Sequence, residues 1–344
     1  MLRIACFIPE NSGVGLYRFH QPLKDLEERA IIELRSWGFD GTNKRFDPPT
    51  TKELEELASW ADIVIFGRQD IPIWKKNIEI VKEIFKKPVL LDIDDNIFSI
   101  SPYLSASAAY HPNGEPMKIH EEIAKYVDGI IVSTPRLAEI YKKYNKVWVV
   151  PNGIKYILDK KPHDGVNIGY LVSASHLENA QIIEAAVIRI LMKYSNVKFF
   201  YTKAFQGFMD SVPEQIKPQV NYLPFFPLND YLKYVNNLNL DIGLAPLMDN
   251  EFNRCKSNIR VLEYWQNKSA VIASPLDEYT KTITDGFDGY FSRDDEWFEK
   301  IENLICNPEI RKYLIKNSQD TIKNYDVSKF ADKYLEVLRE ITHG

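Results

Sequence analysis

Residues 251–275 read EFNRCKSNIRVLEYWQNKSAVIASP and place a polar loop, a helix and a buried strand in immediate succession. Ser257 is the expected N-cap of the helix, because the apolar residues Ile259 and Leu262 follow it at helical spacing. The apolar run AVIA is the expected strand. This order is typical of a parallel α/β sheet, in which the loop before a helix offers backbone N–H groups to an anion.

Charged residues cluster at the start of this helix. Lys256 and Arg260 add positive charge to the end of the helix where the backbone N–H groups are unpaired. Glu263 lies one turn inside the helix. The cluster favours a ligand that carries phosphate, and a surface helix with one acidic residue is the alternative interpretation.

The composition is that of a folded protein with two domains of ordinary size. The chain has 344 residues, of which 45% are hydrophobic and 26% are charged. Its net charge of −5 and isoelectric point of about 5.8 argue against a nucleic-acid binder, because phosphate backbones require a basic surface. We therefore expect no nucleic-acid partner.

Cysteines and apolar runs bear on the cellular compartment. Cys6, Cys255 and Cys306 are far apart and lack the spacing of metal ligands, which favours a reduced, cytosolic chain. The apolar run at the N-terminus is too short for a signal peptide, and no stretch reaches the roughly 18 apolar residues of a membrane span. We expect a cytoplasmic protein in which any membrane contact is peripheral.

Strands and helices alternate in two series along the chain. The first series runs from LRIACFIP through ADIVIFG, PVLLDID and DGIIVST to KVWVVPN, and the second restarts at VNIGYLVS after a polar segment. We predict an α/β fold with two Rossmann-like, doubly wound domains that face a cleft. The expected divisions are 1–155, 165–325 and a C-terminal helix at 326–344.

The block KSNIRVLEY at 256–264 resembles the pattern K-S-N-x-[KR]-x-x-E-[YF] of retaining glycosyltransferases of the GT-B fold, family 4. The resemblance implies that Glu263 accepts hydrogen bonds from the ribose hydroxyls of a nucleotide sugar. It implies that Lys256 and Arg260 act in catalysis by stabilising the departing diphosphate. It also implies a C-terminal helix that crosses back onto the first domain. Two further donor-binding residues are implied, Ser257 and Asn258.

One position departs from the commoner pattern of that family. The family has a second Glu eight positions before the position of Glu263, where it contacts the transferred sugar, and this chain has Cys255 there. The resemblance therefore assigns no contact to the sugar ring at this position.

A glycine-containing turn follows the first expected strand. Gly13 and Gly15 let the backbone approach a ligand that side chains would exclude. The resemblance places Gly13, Val14 and Gly15 near the donor phosphates and adds Arg18 to the donor-binding residues. A plain strand-to-helix turn is the alternative. The spacing differs from G-x-G-x-x-G, which argues against a nicotinamide cofactor.

Carboxylates crowd at the end of the expected strand PVLLDID. Asp92, Asp94 and Asp95 together would raise at least one pKa or attract a cation. The resemblance places this run in the acceptor-side wall of the cleft, with Asp94 or Asp95 as the base or the contact to the acceptor hydroxyl. Capping of the next turn by Asp95 or Asn96 is the alternative. We expect neither a metal nor a cofactor, because GT-B enzymes generally need no divalent ion.

Polar residues after strands of the second domain complete the expected donor site. Ser173, Ser175 and His176 follow its first strand and could contact phosphate or base. The family pattern has Gly and an acidic residue where this chain has Val172 and Asn179, which weakens the transfer of roles. The remaining expected donor-binding residues are Lys203, Tyr222 and Pro224. A solvated lysine is the alternative for Lys203.

A basic amphipathic helix, WKKNIEIVKEIFKK, is expected at 74–87. It could dock on an anionic membrane that carries a lipid acceptor. In the alternative interpretation its apolar face covers the sheet while the lysines remain in water.

The patterns together predict a cytoplasmic glycosyltransferase that moves a sugar from a UDP- or GDP-sugar donor to a glycan, lipid-linked or other acceptor. Two alternatives remain open. A non-hydrolysing sugar-nucleotide epimerase shares the two-domain architecture. A nucleotide-sugar-binding protein that has lost transfer would account for Cys255 and Asn179 in place of acidic residues.

Overall fold

The structure is a computed structural model of the chain. The residues that it describes are 1–8, 12–38, 47–100, 107, 110–111, 114–155, 159–202, 207–224 and 228–343. Two six-stranded parallel sheets with flanking helices form the molecule, which confirms the predicted fold class.

The first half of the chain forms one sheet and the helices around it. Its strands are Leu2–Phe7 (β1), Ile32–Trp37 (β2), Ile63–Gly67 (β3), Val89–Ile93 (β4), Gly129–Val132 (β5) and Val147–Val149 (β6). Its helices are Gln21–Glu28 (α1), Thr51–Trp60 (α2), Pro72–Glu83 (α3), Glu115–Tyr126 (α4) and Pro135–Tyr141 (α5). The strand order is β2-β1-β3-β4-β5-β6, and the strand pairs are parallel.

The second half repeats this architecture. Its strands are Val166–Tyr170 (β7), Val197–Tyr201 (β8), Val220–Tyr222 (β9), Ile242–Ala245 (β10), Ala270–Ala273 (β11) and Tyr290–Phe291 (β12). Its helices are Leu177–Lys193 (α6), Phe208–Ser211 (α7), Leu228–Asn237 (α8), Glu251–Arg254 (α9), Ile259–Gln266 (α10), Asp277–Thr282 (α11), Trp297–Cys306 (α12), Pro308–Thr321 (α13) and Val327–His343 (α14). The strand order is β12-β11-β10-β7-β8-β9.

Apolar side chains cover both faces of the first sheet. On one face the rings of Phe7 and Phe66 stack with centroids 4.8 Å apart, and Trp74 of α3 packs edge-on against them. On the other face, residues of β1 and β4 pack against α1 and α14. Burial on both faces explains why β3, β4 and β5 are buried at every position and read as continuous apolar runs.

Helix α14 follows the second domain in sequence but packs on the first, as the fold prediction requires. Tyr334 and Leu338 of this helix are fully buried in a cluster with Ile4 and other side chains of the first sheet. Its first residue, Val327, donates its N–H to the carbonyl of Ile154 at 2.9 Å, in the segment that joins the domains. The three expected divisions of the chain stay predictions.

Several local elements differ from the sequence-based expectation. The expected helix after β1 begins with six residues of π-helix, Gly15–His20, a form that is rare and concentrates at functional sites. The sequence analysis places no helix at α2, although Thr50 and Glu53 form a capping box there. After β8 a short helix at Phe208–Ser211 is followed by a 3₁₀ segment at Glu214–Gln219.

Candidate functional site

Side chains from the carboxyl ends of both sheets contact each other across a cleft. Tyr17, which follows β1, donates its hydroxyl hydrogen to Glu263 Oε1 at 2.7 Å. Lys256, which precedes α10, places Nζ 3.3 Å from Oδ1 of Asp95, which follows β4. Ligands of open parallel sheets bind at this edge, so the contacts mark the candidate site.

Glu263 is the buried carboxylate of the second-domain wall. Helix α10 places it one turn from the helix start, and its side chain is 9% exposed. Its Oε2 accepts a hydrogen bond from Nη1 of Arg260, which also reaches the hydroxyl of Tyr231 at 3.5 Å. Within the described part of the chain, Nε of Arg260 is buried with no hydrogen-bond partner. Such an N–H group is available to an acceptor atom of a ligand.

Lys256 is the second cation of this wall. Its side chain is 9% exposed, and its ammonium lies 4.4 Å from the ring centroid of Phe252 as well as beside Asp95. A lysine held between a ring and one carboxylate keeps its charge close to the cleft, where a diphosphate would meet it.

Asp94 and Asp95 form the acidic part of the first-domain wall. The side-chain amide of Asn152 donates to Asp94 Oδ1 at 3.3 Å and to Ser257 Oγ at 2.9 Å, and so joins the two walls. Burial, followed by repulsion from Asp95, raises the pKa of Asp94, while Arg18 opposes this shift. A carboxyl with a raised pKa is suited to exchange a proton with an acceptor hydroxyl.

Arg18 lies beneath this wall and is only 1% exposed. Its Nε and Nη2 donate to the two carboxylate oxygens of Asp92 at 2.8 and 3.0 Å, and its Nη1 donates to Asn152 Oδ1 at 3.0 Å and to the Val150 carbonyl. The guanidinium is thus paired within the protein, and a direct contact of Arg18 with a donor stays a prediction. Arg18 supports Asp92 and Asn152.

An open cavity with about 540 Å³ of empty space lies at the carboxyl ends of the first-sheet strands. Asp94 and Asp95 line it together with Arg68, which follows β3. Val14 and Gly15 complete the wall nearest the π-helix. The cavity is open to solvent and is lined by groups of both charges.

Solved structures of several enzymes superpose on nearly the whole chain. Anabaena HepE in complex with UDP-glucose matches with a TM-score of 0.70 at 13% identity, over 99% of this chain and 100% of that chain. Sucrose-phosphate synthase from Thermosynechococcus elongatus matches with a TM-score of 0.71 at 10% identity, over 99% of each chain. A glycosyltransferase from Rickettsia africae matches with a TM-score of 0.62 at 14% identity. It covers 99% of this chain and 98% of that chain.

The chain has the GT-B fold. No protein-family model matches the sequence, and no curated protein matches it significantly. The likeness in structure at such low identity establishes the fold, and the functional roles of individual residues remain predictions.

In this GT-B cleft, His176 lies with the cations of the second-domain wall. Burial lowers its pKa well below the usual range, and the charges of Lys256 and Arg260 add to the effect. Its Nδ1 lies 3.1 Å from the side-chain amide of Asn179. The imidazole is therefore neutral at physiological pH. The expected hydroxyl pair after β7 is also present, with the Oγ atoms of Ser173 and Ser175 2.8 Å apart.

Two of the three departures from the family pattern, Asn179 and Cys255, make contacts within the protein. Asn179 bonds Asn253, with Nδ2 of Asn253 donating to Oδ1 of Asn179 at 2.9 Å. Cys255 is fully buried, and its side chain belongs to the apolar cluster of the first sheet. Thr134 Oγ1 donates to the Cys255 carbonyl at 2.9 Å and fixes this position. The Asn179 amide thus bonds within the second domain, whereas the Cys255 side chain packs against the first.

The loop before α10 corrects one detail of the sequence analysis. The N-cap is Asn258 rather than Ser257, and neither side chain caps the helix. Ser257 Oγ instead accepts a hydrogen bond from Asn152 across the cleft, and the Asn258 amide donates to Thr282 Oγ1 at 2.9 Å. Both side chains are used within the protein, so a donor would meet mainly the backbone of this loop.

The other expected donor-binding residues that the structure describes lie on or after the edge strand of the second sheet and before the π-helix. Tyr222 is 53% exposed and ends β9, the edge strand of the second sheet, with exposed Pro224 following. Gly13 precedes the π-helix, and a Cβ there would lie 4.0 Å from the Tyr17 ring. Lys203 lies outside the described residues.

Helix α3 packs its apolar face on the first sheet, and several of its lysines form ion pairs. Lys75 contacts Glu122 at 2.6 Å and Lys82 contacts Asp128 at 2.9 Å, both in or after α4. The sheet-covering interpretation accounts for this arrangement, and membrane docking stays a prediction. Among the described helices, none is both long and apolar enough to cross a membrane.

Asn152 is the site residue that the sequence analysis missed. It follows β6 in the segment Pro151-Asn152-Gly153, directly before the polar segment that separates the two series of strands. Its contacts to Arg18, Asp94 and Ser257 join three separate parts of the chain, so no local pattern could reveal them. In the described residues, no group of three or more His, Cys, Asp or Glu side chains could hold a metal ion.

Proposed function

We propose that the protein is a glycosyltransferase that moves a sugar from a nucleoside diphosphate sugar to an acceptor. The observation that carries the proposal is the opposite chemistry of the two cleft walls. Lys256 and Arg260 lie on the second-domain wall, and Asp94 and Asp95 lie across from them. Cations stabilise a departing diphosphate, and carboxylates take a proton from an incoming hydroxyl.

The donor would bind to the second-domain wall. Glu263 is a buried carboxylate of the kind that accepts hydrogen bonds from the vicinal hydroxyls of a ribose. The free Nε of Arg260, within the described residues, together with Lys256 and the loop before α10, would hold the diphosphate. The structural likeness to HepE, which was solved with UDP-glucose, supports a nucleotide sugar as the donor.

The acceptor would occupy the cavity beside Asp94 and Asp95. In the proposed reaction the bond between the anomeric carbon and the diphosphate oxygen breaks, and its electron pair leaves with the diphosphate. The acceptor oxygen forms the new bond to the anomeric carbon, and its proton passes to Asp94 or Asp95. We include a saccharide or lipid-linked acceptor, a cytoplasmic location, retention of configuration and independence of metal in the proposal. Retention and metal independence rest on the resemblance of the 256–264 block.

A second candidate is a nucleotide-sugar-binding protein that has lost transfer. The observation that favours it is the burial of Cys255 in the first-domain cluster, because the thiol cannot contact a sugar in the cleft. This candidate predicts nucleotide binding without turnover.

The test is an assay of donor turnover. UDP-, GDP- and ADP-glucose are incubated with the protein, with water alone and with simple saccharides as acceptors, and the released nucleoside diphosphate is measured. The same donors are titrated calorimetrically against the protein and against a variant that carries both Asp94→Asn and Asp95→Asn.

Turnover of one donor, lost in the double variant while donor binding persists, is the expected result. Binding with no turnover in the wild-type protein would favour the second candidate. Absence of both binding and turnover would contradict the proposed function.

A further inference from the structure

Both carboxylate oxygens of Glu263 are already occupied by protein groups. Arg260, from the same helix, bonds Oε2. Tyr17, which lies 246 positions earlier, donates its hydroxyl to Oε1 at 2.7 Å, and the bond is buried. Tyr17 is thus the one first-domain residue, among those described, whose hydrogen bond reaches this carboxylate. If a ribose bound Glu263 through both vicinal hydroxyls, one hydroxyl would have to bond Oε1, which already accepts the hydrogen bond from Tyr17.

The π-helix that carries Tyr17 packs against both domains. Leu16 and Tyr17 are buried in an apolar cluster with Leu262 and Trp265 of the second domain. Phe19, two residues later in the same π-helix, is buried in the cluster of the first sheet. A π-helix is a rare form that is frequent at functional sites, and this one places Tyr17 between the two clusters.

The hydrogen bond from Tyr17 stabilises the buried carboxylate of Glu263. A carboxylate as buried as that of Glu263 is costly if one oxygen lacks a donor. The Tyr17 hydroxyl supplies this donor, and burial raises its pKa well above the usual range, so it keeps its proton at physiological pH. The hydroxyl occupies the position that a ligand hydroxyl with the same donor geometry would take.

We propose that the Tyr17 hydroxyl is a built-in competitor for Glu263, which the ribose of the nucleotide donor displaces. The inference rests on the proposed function. Tyr17 then sets the affinity and the ribose selectivity of the donor site, because each donor that gains a bond to Glu263 must replace the bond from Tyr17. A nucleotide without ribose hydroxyls forms no such bond to Glu263 and leaves the Tyr17–Glu263 hydrogen bond intact.

Tyr17→Phe keeps the ring and removes the competing hydroxyl. We expect UDP to bind this variant about tenfold more tightly than the wild-type protein, because the displaced bond to a charged group is worth about a factor of ten. 2′,3′-Dideoxyuridine diphosphate should bind both proteins equally, since it does not compete with Tyr17. Both affinities are measured by calorimetry.

Tyr141→Phe is the matched control. It removes a buried tyrosine hydroxyl that lies 2.9 Å from Nε2 of His120, away from Glu263, and should leave both affinities unchanged. Melting curves verify that each variant folds. A structure of the wild-type protein with UDP provides a second measurement, in which the Tyr17 hydroxyl should lie more than 3.5 Å from Glu263 Oε1.

Weaker or unchanged UDP binding in Tyr17→Phe would overturn the inference, because a residue that only orients Glu263 gives that result. An intact Tyr17–Glu263 bond in the UDP complex would overturn it as well. The proposed function survives both outcomes if UDP binding still depends on Glu263. Absence of UDP binding to the wild-type protein would overturn the inference together with the UDP donor.

Discussion

The two walls of the cleft are built in different ways. The second-domain wall comes from one continuous segment, in which Lys256, Arg260 and Glu263 lie within eight residues of each other. The first-domain wall is assembled from the ends of separate strands, with Gly15 after β1, Arg68 after β3 and Asp94 after β4. The first wall carries Asp94 and Asp95 above a buried ion pair, whereas the second carries the largely buried cations Lys256 and Arg260.

In the proposed function, the second-domain wall binds the donor and the first-domain wall takes the proton from the acceptor. A single loop and helix hold the groups that suit a diphosphate and a ribose, and the first domain contacts two of these groups through Tyr17 and Asp95. The carboxylates that suit an acceptor depend on Asn152 and on the Arg18–Asp92 pair beneath them. Substitutions on the two walls should therefore affect different steps.

The largest expected effect is on turnover at the acidic wall. Asp94→Asn and Asp95→Asn each remove a candidate base, and the residue that acts as the base should lower kcat by about 10² to 10⁴ when replaced. The donor dissociation constant should change little. Asp332→Asn, an exposed carboxylate paired with Arg29, is the control and should retain full turnover. Equal kcat in all three variants would remove both aspartates from the chemistry.

The next largest expected effect is on the stability of the protein at low pH, through a buried histidine of the first domain. His120 is fully buried between the Gln69 carbonyl and the Tyr141 hydroxyl, and burial lowers its pKa to about 4. An unfolded histidine binds its proton near pH 6.5, so the unfolded chain binds more protons between pH 6.5 and about 4. Its contribution to the unfolding free energy therefore falls as the pH falls, by up to about 3 kcal/mol.

Urea unfolding at pH 7 and at pH 4.5 measures this loss. A folded His120→Gln variant should be less stable at pH 7 but should lose less stability on acidification than the wild-type protein. The same loss in both proteins would show that His120 does not titrate in this window.

A smaller effect is expected on donor binding at the cationic wall. Arg260→Gln removes the buried guanidinium beside Glu263 and should raise the donor dissociation constant about 10- to 100-fold. Arg254→Gln, which lies on the preceding short helix and pairs with Asp249 and Asp277, is the control and should bind the donor normally. Comparable losses in the two variants would mean that general positive charge, rather than the position of Arg260, holds the donor.

The smallest effect is expected for an exposed contact between the walls. Arg136 and Glu251 form a bidentate ion pair across the domains, with side chains 46% and 38% exposed. Arg136→Ala should lower the unfolding free energy by about 1 kcal/mol or less, because exposed ion pairs contribute little. A larger loss in thermal or urea unfolding would show that this pair holds the domains together and that the walls are less independent than we infer.

The sequence predicted the fold correctly and grouped the residues of one wall of the candidate site, for a physical reason in each case. Central strands of a parallel sheet are apolar on both faces, so runs such as ADIVIFG identify them directly. The loop and helix at 256–263 carry their functional groups at fixed local spacing, and the structure brings Lys256, Arg260 and Glu263 to one cleft.

The other features depend on contacts between distant residues. Arg18 reads as a ligand contact in the sequence, but its partners Asp92 and Asn152 lie 74 and 134 positions away. Tyr17 and Glu263 lie 246 positions apart and come from different domains. No local spacing encodes such pairs, so the sequence could not show which polar residues the protein uses internally.

Calorimetric titration of UDP, GDP and ADP against the wild-type protein and Glu263→Gln tests the central claim most directly. We predict that one nucleotide binds and that the variant weakens its binding about 10- to 100-fold, because the ribose loses its charged acceptor. Binding that is equally tight in the variant, or absent for all three nucleotides, would contradict the assignment of the donor to the second-domain wall.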